Sequence, residues 1–162
     1  MLGRVELEQL KSDLFLPWVI QGFMLTTLAV ILIVCITFGN QIQQPLPEAQ
    51  RVLIRTILYV VAIVTFPMTN LIRYIQLRLN QTMPYSQDQP GIEAKKRYLV
   101  TVIVSMSLIE IVGIFGFVMF ILGDNFNTLY IFSGLSALGM FLYRPKVDEY
   151  ARIIKALTSQ KI

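Results

Sequence analysis

Between Tyr98 and Leu122 the chain runs through almost uninterrupted apolar residues, and the single acidic or basic side chain among them is Glu110, near the middle. A stretch of roughly 25 residues, at 1.5 Å per helical residue, is long enough to cross a hydrocarbon core of ~30 Å. A carboxylate carried to that depth is costly. Such side chains face other helices or a wet cavity, where they are paired, protonated or used. On a helix Glu110 shares a face with Ile103, Met106, Ser107, Gly113, Ile114 and Phe117. Ser107 offers a hydroxyl one turn back, Gly113 opens space beside the carboxylate, and Gly116 suits close contact with a neighbouring helix. Three uses follow: a protonated or hydrogen-bonded acid that holds helices together, exchange of a proton or ion, and contact with another subunit. In a second apolar stretch, Thr65, Thr69 and Asn70 are the polar side chains that would serve any of the three.

The composition agrees with a membrane setting. Of 162 residues, 55% are hydrophobic and 15% charged, and the apolar excess is gathered into long blocks instead of being spread at helical or strand period. The expected class is an all-α, polytopic membrane protein. One cysteine, Cys35, and no histidine exclude an intramolecular disulfide, a Cys/His metal site and His-dependent catalysis. No cofactor is expected. Asp124 and Asp148 stand apart at turns and read as ordinary solvated residues, so the chain lacks the cluster of groups that an enzyme of acid/base or metal type requires. The net charge of +4 comes from basic residues that flank the apolar blocks, which points to membrane orientation and not to nucleic acid.

The elements that must hold Glu110 in place are read as follows. Residues 1–13 are a polar lead, with Arg4, Glu6, Glu8, Lys11 and Asp13 among Leu2, Val5, Leu7 and Leu10, able to form an amphipathic turn or two at the membrane surface. It does not have the form of a cleaved signal peptide. Residues 14–145 form a four-helix transmembrane bundle with spans at about 15–38, 52–75, 98–122 and 127–143. Ser12 or Asp13 is placed to cap the first span, Pro17 sits in its first turn, and Trp18 is an interfacial anchor. Threonines of this span, Thr26 and Thr27 among them, are expected to bond back to their own helix. In the second span, Arg55 and Arg73 snorkel at opposite ends, while Pro67 frees the carbonyl of Ile63 for neighbouring hydroxyls to patch. From Gln76 to Arg97 runs a long solvated connection, with helical extensions at its ends, containing Asp88 and the triplet Lys95, Lys96, Arg97. Its Asn80-Gln81-Thr82 sequon is expected to be fortuitous. Ser133, Ser136, Ala137 and Gly139 give the short fourth span a small-residue surface for close helix packing. Residues 146–162 place Val147, Tyr150, Ile153, Ile154 and Leu157 on one stripe, an amphipathic helix for the membrane surface or a partner.

Orientation follows from the basic residues. Arg4 and Lys11, Arg73, Arg78, Lys95, Lys96 and Arg97, and Arg144, Lys146, Arg152, Lys155 and Lys161 are twelve of the 14 Lys and Arg, and four spans put them all on one side. Only Arg51 and Arg55 remain for the other. Both termini are therefore expected in the cytoplasm and the protein in a cytoplasmic membrane.

The run Ser107 to Phe117, SLIEIVGIFGF, resembles the carboxylate-bearing helix of the proteolipid c subunits of rotary ATPases. The helix pair Val52 to Leu122 with its polar connection is similar to the hairpin of that family. The resemblance implies that Glu110 matches the ion-binding acid, and it carries over no other residue. Two functions are thus in view. One is a structural or accessory subunit of a larger membrane assembly, and the other an ion-translocation component working through Glu110 with Ser107, Thr65 and Asn70. Membrane lipid and other membrane subunits, or further copies of the chain, are the expected partners. Gly113, Gly116, Ser133, Ala137 and Gly139 suit packing within one bundle or between protomers.

Overall fold

A computed structural model describes residues 4–84 and 90–159, apart from the side chains of 4–7 and 9. The side chains of Arg4, Glu6, Asp88 and Lys161 lie outside the described residues. The chain forms six helices, α1 (Arg4–Asp13), α2 (Phe15–Ile42), α3 (Glu48–Thr82), α4 (Pro90–Ile121), α5 (Phe126–Leu142) and α6 (Val147–Ser159), and no strand among the described residues. Three segments are long and apolar enough to cross a membrane: Leu10–Ile42, Glu48–Thr82 and Pro90–Ile121. A fourth is reached if α5 and α6, bent by 45° at their junction, count as one broken span.

The expected cap at Ser12 or Asp13 does not form, because the chain never leaves helical geometry there. Leu14 N–H donates to Leu10 O at 3.2 Å, Trp18 N–H donates to Leu14 O at 3.1 Å, and Leu14 itself sits in the right-handed helical region. Pro17 supplies the interruption, since it has no N–H to give. In α3 the hydroxyls near Pro67 do not turn to Ile63 O. Thr65 donates to Val61 O and Thr69 to Thr65 O, both at 2.8 Å, while the phenol of Tyr143 reaches across from α5's end to Phe66 O at 3.0 Å. Thr26 and Thr27 bond back to Gly22 O and Phe23 O.

Helix α4 stands at the centre, in contact with α2, α3, α5 and α6. Its approach to α5 depends on residues without bulk. A Cβ at Gly116 would lie 2.8 Å from Phe132 Cβ and 3.2 Å from Leu129 O, and one at Gly139 would lie 2.6 Å from Ile109. Ser136 donates to Ile109 O at 3.0 Å across the same contact. The long connection is shorter than its polarity implies, because α3 and α4 extend into it and Arg97 closes the gap. Arg97 is held by Glu93 at 2.8 Å and donates to the carbonyls of Asn80, Met83 and Pro84, satisfying acceptors that the end of α3 leaves open. Asn80 of the sequon spends its amide on Arg97 O and Thr101 Oγ1.

At the opposite end, Gly123 takes φ of +86°, and its missing Cβ makes room for Pro45. Gln44 and Leu46 donate to Ile121 O and Leu122 O, so the two turns at this end are joined. Asp124 is not a solvated turn residue: it is 3% exposed and accepts from Arg55 at 3.1 Å, with Arg51 at 4.0 Å. Arg55 thus turns to an internal acid instead of snorkelling.

This packing sets a graded test with two glycines. Replacing Gly116 by alanine forces α4 from α5 and should lower bundle stability by about 1–3 kcal/mol. Gly134→Ala, where nothing lies within 4 Å of the added Cβ, should change it by less than about 0.5 kcal/mol. Unfolding of both variants in mixed micelles, followed by circular dichroism, measures the difference.

Candidate functional site

Glu110 lies eleven residues before the end of α4, on the flank that turns toward α2. Seven residues on, Phe117 occupies nearly the same azimuth, within about 20° at 3.6 residues per turn, and packs against the cluster of Cys35, Phe120 and Leu129 that Ile31 and Leu32 of α2 also cover. Glu110 is half-buried there, between buried Met106 and Gly113 on one side and exposed Ile103 and Ile114 on the other. Among the described residues no hydrogen bond or ion pair reaches its carboxylate, and Ser107, also half-buried, has none either. The two form a small polar patch at the edge of an apolar surface.

The other candidates are elsewhere. Leu108 of α4 lines a groove of about 310 Å³ with Thr65 and Thr69, and Glu110 is about 200° around the helix from Leu108. Thr65 therefore faces away from the carboxylate, and Asn70 is exposed on α3. The space expected beside Glu110 at Gly113 is taken by Leu28 of α2 and Ser136 of α5. Gly113, Gly116 and Gly139 all meet neighbours of the same chain. Ser133 and Ala137 line a groove of about 370 Å³ between α2 and α5, with the buried Ser133 hydroxyl unbonded. Among the described residues no three of His, Cys, Asp and Glu come together as metal ligands would.

The densest polar site is one the sequence conceals. Arg73 is 4% exposed and spreads its guanidinium over Tyr143 O at 2.9 Å, Arg144 O at 3.4 Å and Glu149 Oε2 at 2.6 Å. The Tyr98 phenol donates to Glu149 at 3.2 Å and accepts from Lys146 N–H at 2.7 Å. Beside it, the Tyr150 phenol donates to Asp13, which Lys95 holds at 3.2 Å. Burial, with the Asp13 hydrogen bond and charge adding to it, pushes the Tyr150 phenol well above its usual range, so it stays a donor. These contacts seat α6 on α1, α3 and α4, and its stripe of Tyr150, Ile153 and Leu157 joins Leu10, Leu14, Ala94, Tyr98 and Val102 inside the protein. An arginine in the last turn of an apolar span is the sequence feature that could have flagged this cluster, since it must find an acceptor where it does not snorkel. Both terminal nitrogens of the guanidinium and the Tyr98 phenol are spent on groups of the α5–α6 corner, so the arrangement acts as a clamp.

Removing one partner of a buried pair leaves an uncompensated charge. Arg73→Met should cost about 3–5 kcal/mol and expose α6 to trypsin at Arg152 and Lys155, whereas Arg73→Met combined with Glu149→Met should recover much of the loss. Limited proteolysis and unfolding midpoints measure both effects. Comparison of the chain with protein-family models, with curated proteins and with solved structures finds no match in any of the three.

Proposed function

We propose that the protein is a small accessory subunit of a larger membrane assembly, with α2, α3, α4 and α5 as its four membrane segments and α6 as a charged helix at the water boundary. The observation that carries this reading is the pair Glu110 and Ser107, at the outer edge of α4 and unbonded within the described chain. An acidic side chain at the centre of a membrane helix costs on the order of 2.5–3.5 kcal/mol to insert. A donor or basic group from a neighbouring subunit would recover that cost. Arg73 and Asp124, by contrast, are matched inside the chain, so the unmatched acid is an exception in its own protein. The distribution of basic residues supports both termini lying in the cytoplasm.

The same unpaired acid favours a second reading, in which Glu110 alternates between protonated and ionised forms as part of a proteolipid-like ion path. Thr65 and Asn70 take no part in such a path because they face other surfaces, so its further groups would come from another subunit.

Mild extraction followed by native mass measurement tests the first reading. A companion chain should be retained by the wild type, weakened at least about tenfold by Glu110→Leu, and largely kept by Glu110→Gln, which preserves one hydrogen-bonding edge. A stable lone monomer would end it. For the second reading, proton or sodium flux unchanged by Glu110→Gln would be decisive against.

A further inference from the structure

The end of the bundle that carries α1 and α6 also carries cations that the fold leaves unpaired. Lys11, Arg78, Lys96 and Arg144 are exposed, and none is in an ion pair among the described residues. They come from four different places in the fold, α1, α3, α4 and the corner between α5 and α6. Three of them, Lys11, Arg78 and Lys96, also continue an exposed apolar stripe of their own segment. Lys11 precedes exposed Phe15 and Trp18 at steps of four and seven residues, and Lys96 precedes exposed Val100 and Ile103 at the same steps. Arg78 follows exposed Leu71 and Ile75 at seven and three, and Arg144 stands two residues past the end of α5, after exposed Phe141 and Leu142.

A long basic side chain in that register lies along the acyl boundary and delivers its charge to the phosphate layer. The other end of the bundle has no equivalent, because Arg51 and Arg55 are turned inward to Gly123 O and Asp124. We infer that Lys11, Arg78, Lys96 and Arg144 form a collar that binds the phosphate groups of anionic phospholipids in the leaflet at this end. A soluble acidic partner would be met better by Arg152 and Lys155, which are exposed on α6, than by cations from four separate elements, three of them in register with exposed apolar stripes. The inference rests on the membrane-spanning architecture and is independent of any companion subunit.

The chain carries its own probe, since Trp18 is its one tryptophan and shares a stripe with Lys11. Full-length protein is reconstituted into phosphatidylcholine vesicles in which either brominated phosphatidylglycerol or an equal amount of brominated phosphatidylcholine quenches Trp18. The anionic lipid should be preferred about five-fold, the ratio that one basic residue at the phosphate layer provides, and high salt should reduce it. Lys11→Gln should bring the ratio near unity, while Arg152→Gln with Lys155→Gln, which removes more charge away from the collar, should leave it in place. Phosphatidylglycerol co-purifying with the chain should fall when Lys11, Arg78, Lys96 and Arg144 are all changed to Gln, and not in the Arg152, Lys155 variant. Equal quenching of the wild type by the two lipids would overturn the inference. So would an equal loss in the Arg152, Lys155 variant, or abolition of the preference by inorganic phosphate at matched ionic strength, which would mark a site for a free anion.

Discussion

A charge that enters hydrocarbon must be met by an opposite charge or by several hydrogen bonds, and this requirement fixes where the outer elements of the protein lie. Arg73 is buried near one end of α3, so something has to reach it. The reach comes from the α5–α6 corner, whose carbonyls at Tyr143 and Arg144 and whose carboxylate at Glu149 all point to one guanidinium. Once Glu149 is committed, the first turns of α6 are placed, and the apolar stripe that follows is directed onto α1 and α4 instead of outward. At the other end Asp124 does the same for the turn between α4 and α5, drawing in Arg55 and Arg51 from the start of α3. Both pairs join α3 to α5 or its flanks, one at each end, although α4 lies between them in the chain.

Between those two pinned ends, the middle of the bundle is held by shape. Gly116, Gly139 and Gly113 let α4 approach α5 and α2 until the neighbouring side chains fill the space a Cβ would need. Helices surrounded by lipid gain little from apolar contact alone, so close approach and interhelical bonds such as Ser136 to Ile109 O have to supply the association. The polar clamps at the ends and the tight contact in the middle are therefore complementary: the first choose which segments meet, and the second sets how near they come. Glu110 takes part in neither. It sits half-buried at the edge of the covered face of α4, between buried Met106 and Gly113 and exposed Ile103 and Ile114, and so differs in environment from Arg73 and Asp124.

What was legible in the sequence followed from local pattern. The apolar runs around Val19, Val60 and Glu110 state their helices by length, and the small residues near Gly116 and Gly139 state a close contact without naming the partner. What was not legible depended on separation. Asp124 meets Arg55 from 69 residues away and Arg73 meets Glu149 from 76, so each of these groups looks isolated or solvated until the helices are assembled. The missing cap at Asp13 has the same origin. A side chain that could have closed a helix start bonds instead to Tyr150 and Lys95, because α1 continues into α2 and brings it to α6. Glu110 is the one acid between Tyr98 and Leu122, but the helical wheel alone could not tell which of its flanks would be covered. Leu28 decided that by filling Gly113.

The pairing at the two ends also changes the electrostatic character of the folded protein relative to its chain. Basic residues bias orientation during insertion largely irrespective of nearby acids, so Arg51 and Arg55 count fully against the opposite side at that stage. After folding they share Asp124, and the field they present is reduced. At the other end, among the described residues, the acids that pair are fewer than the cations: Glu93, Glu149 and Asp13 each take one basic partner, and Lys11, Arg78, Lys96 and Arg144, with Lys146, Arg152 and Lys155, are left over. Folding leaves the net charge of each face as the chain sets it and decides which cations stay free on the basic face. A bundle polarised in this way has one face suited to anionic surroundings and one close to neutral, while Glu110, without an ion-pair partner among the described residues, lies between them.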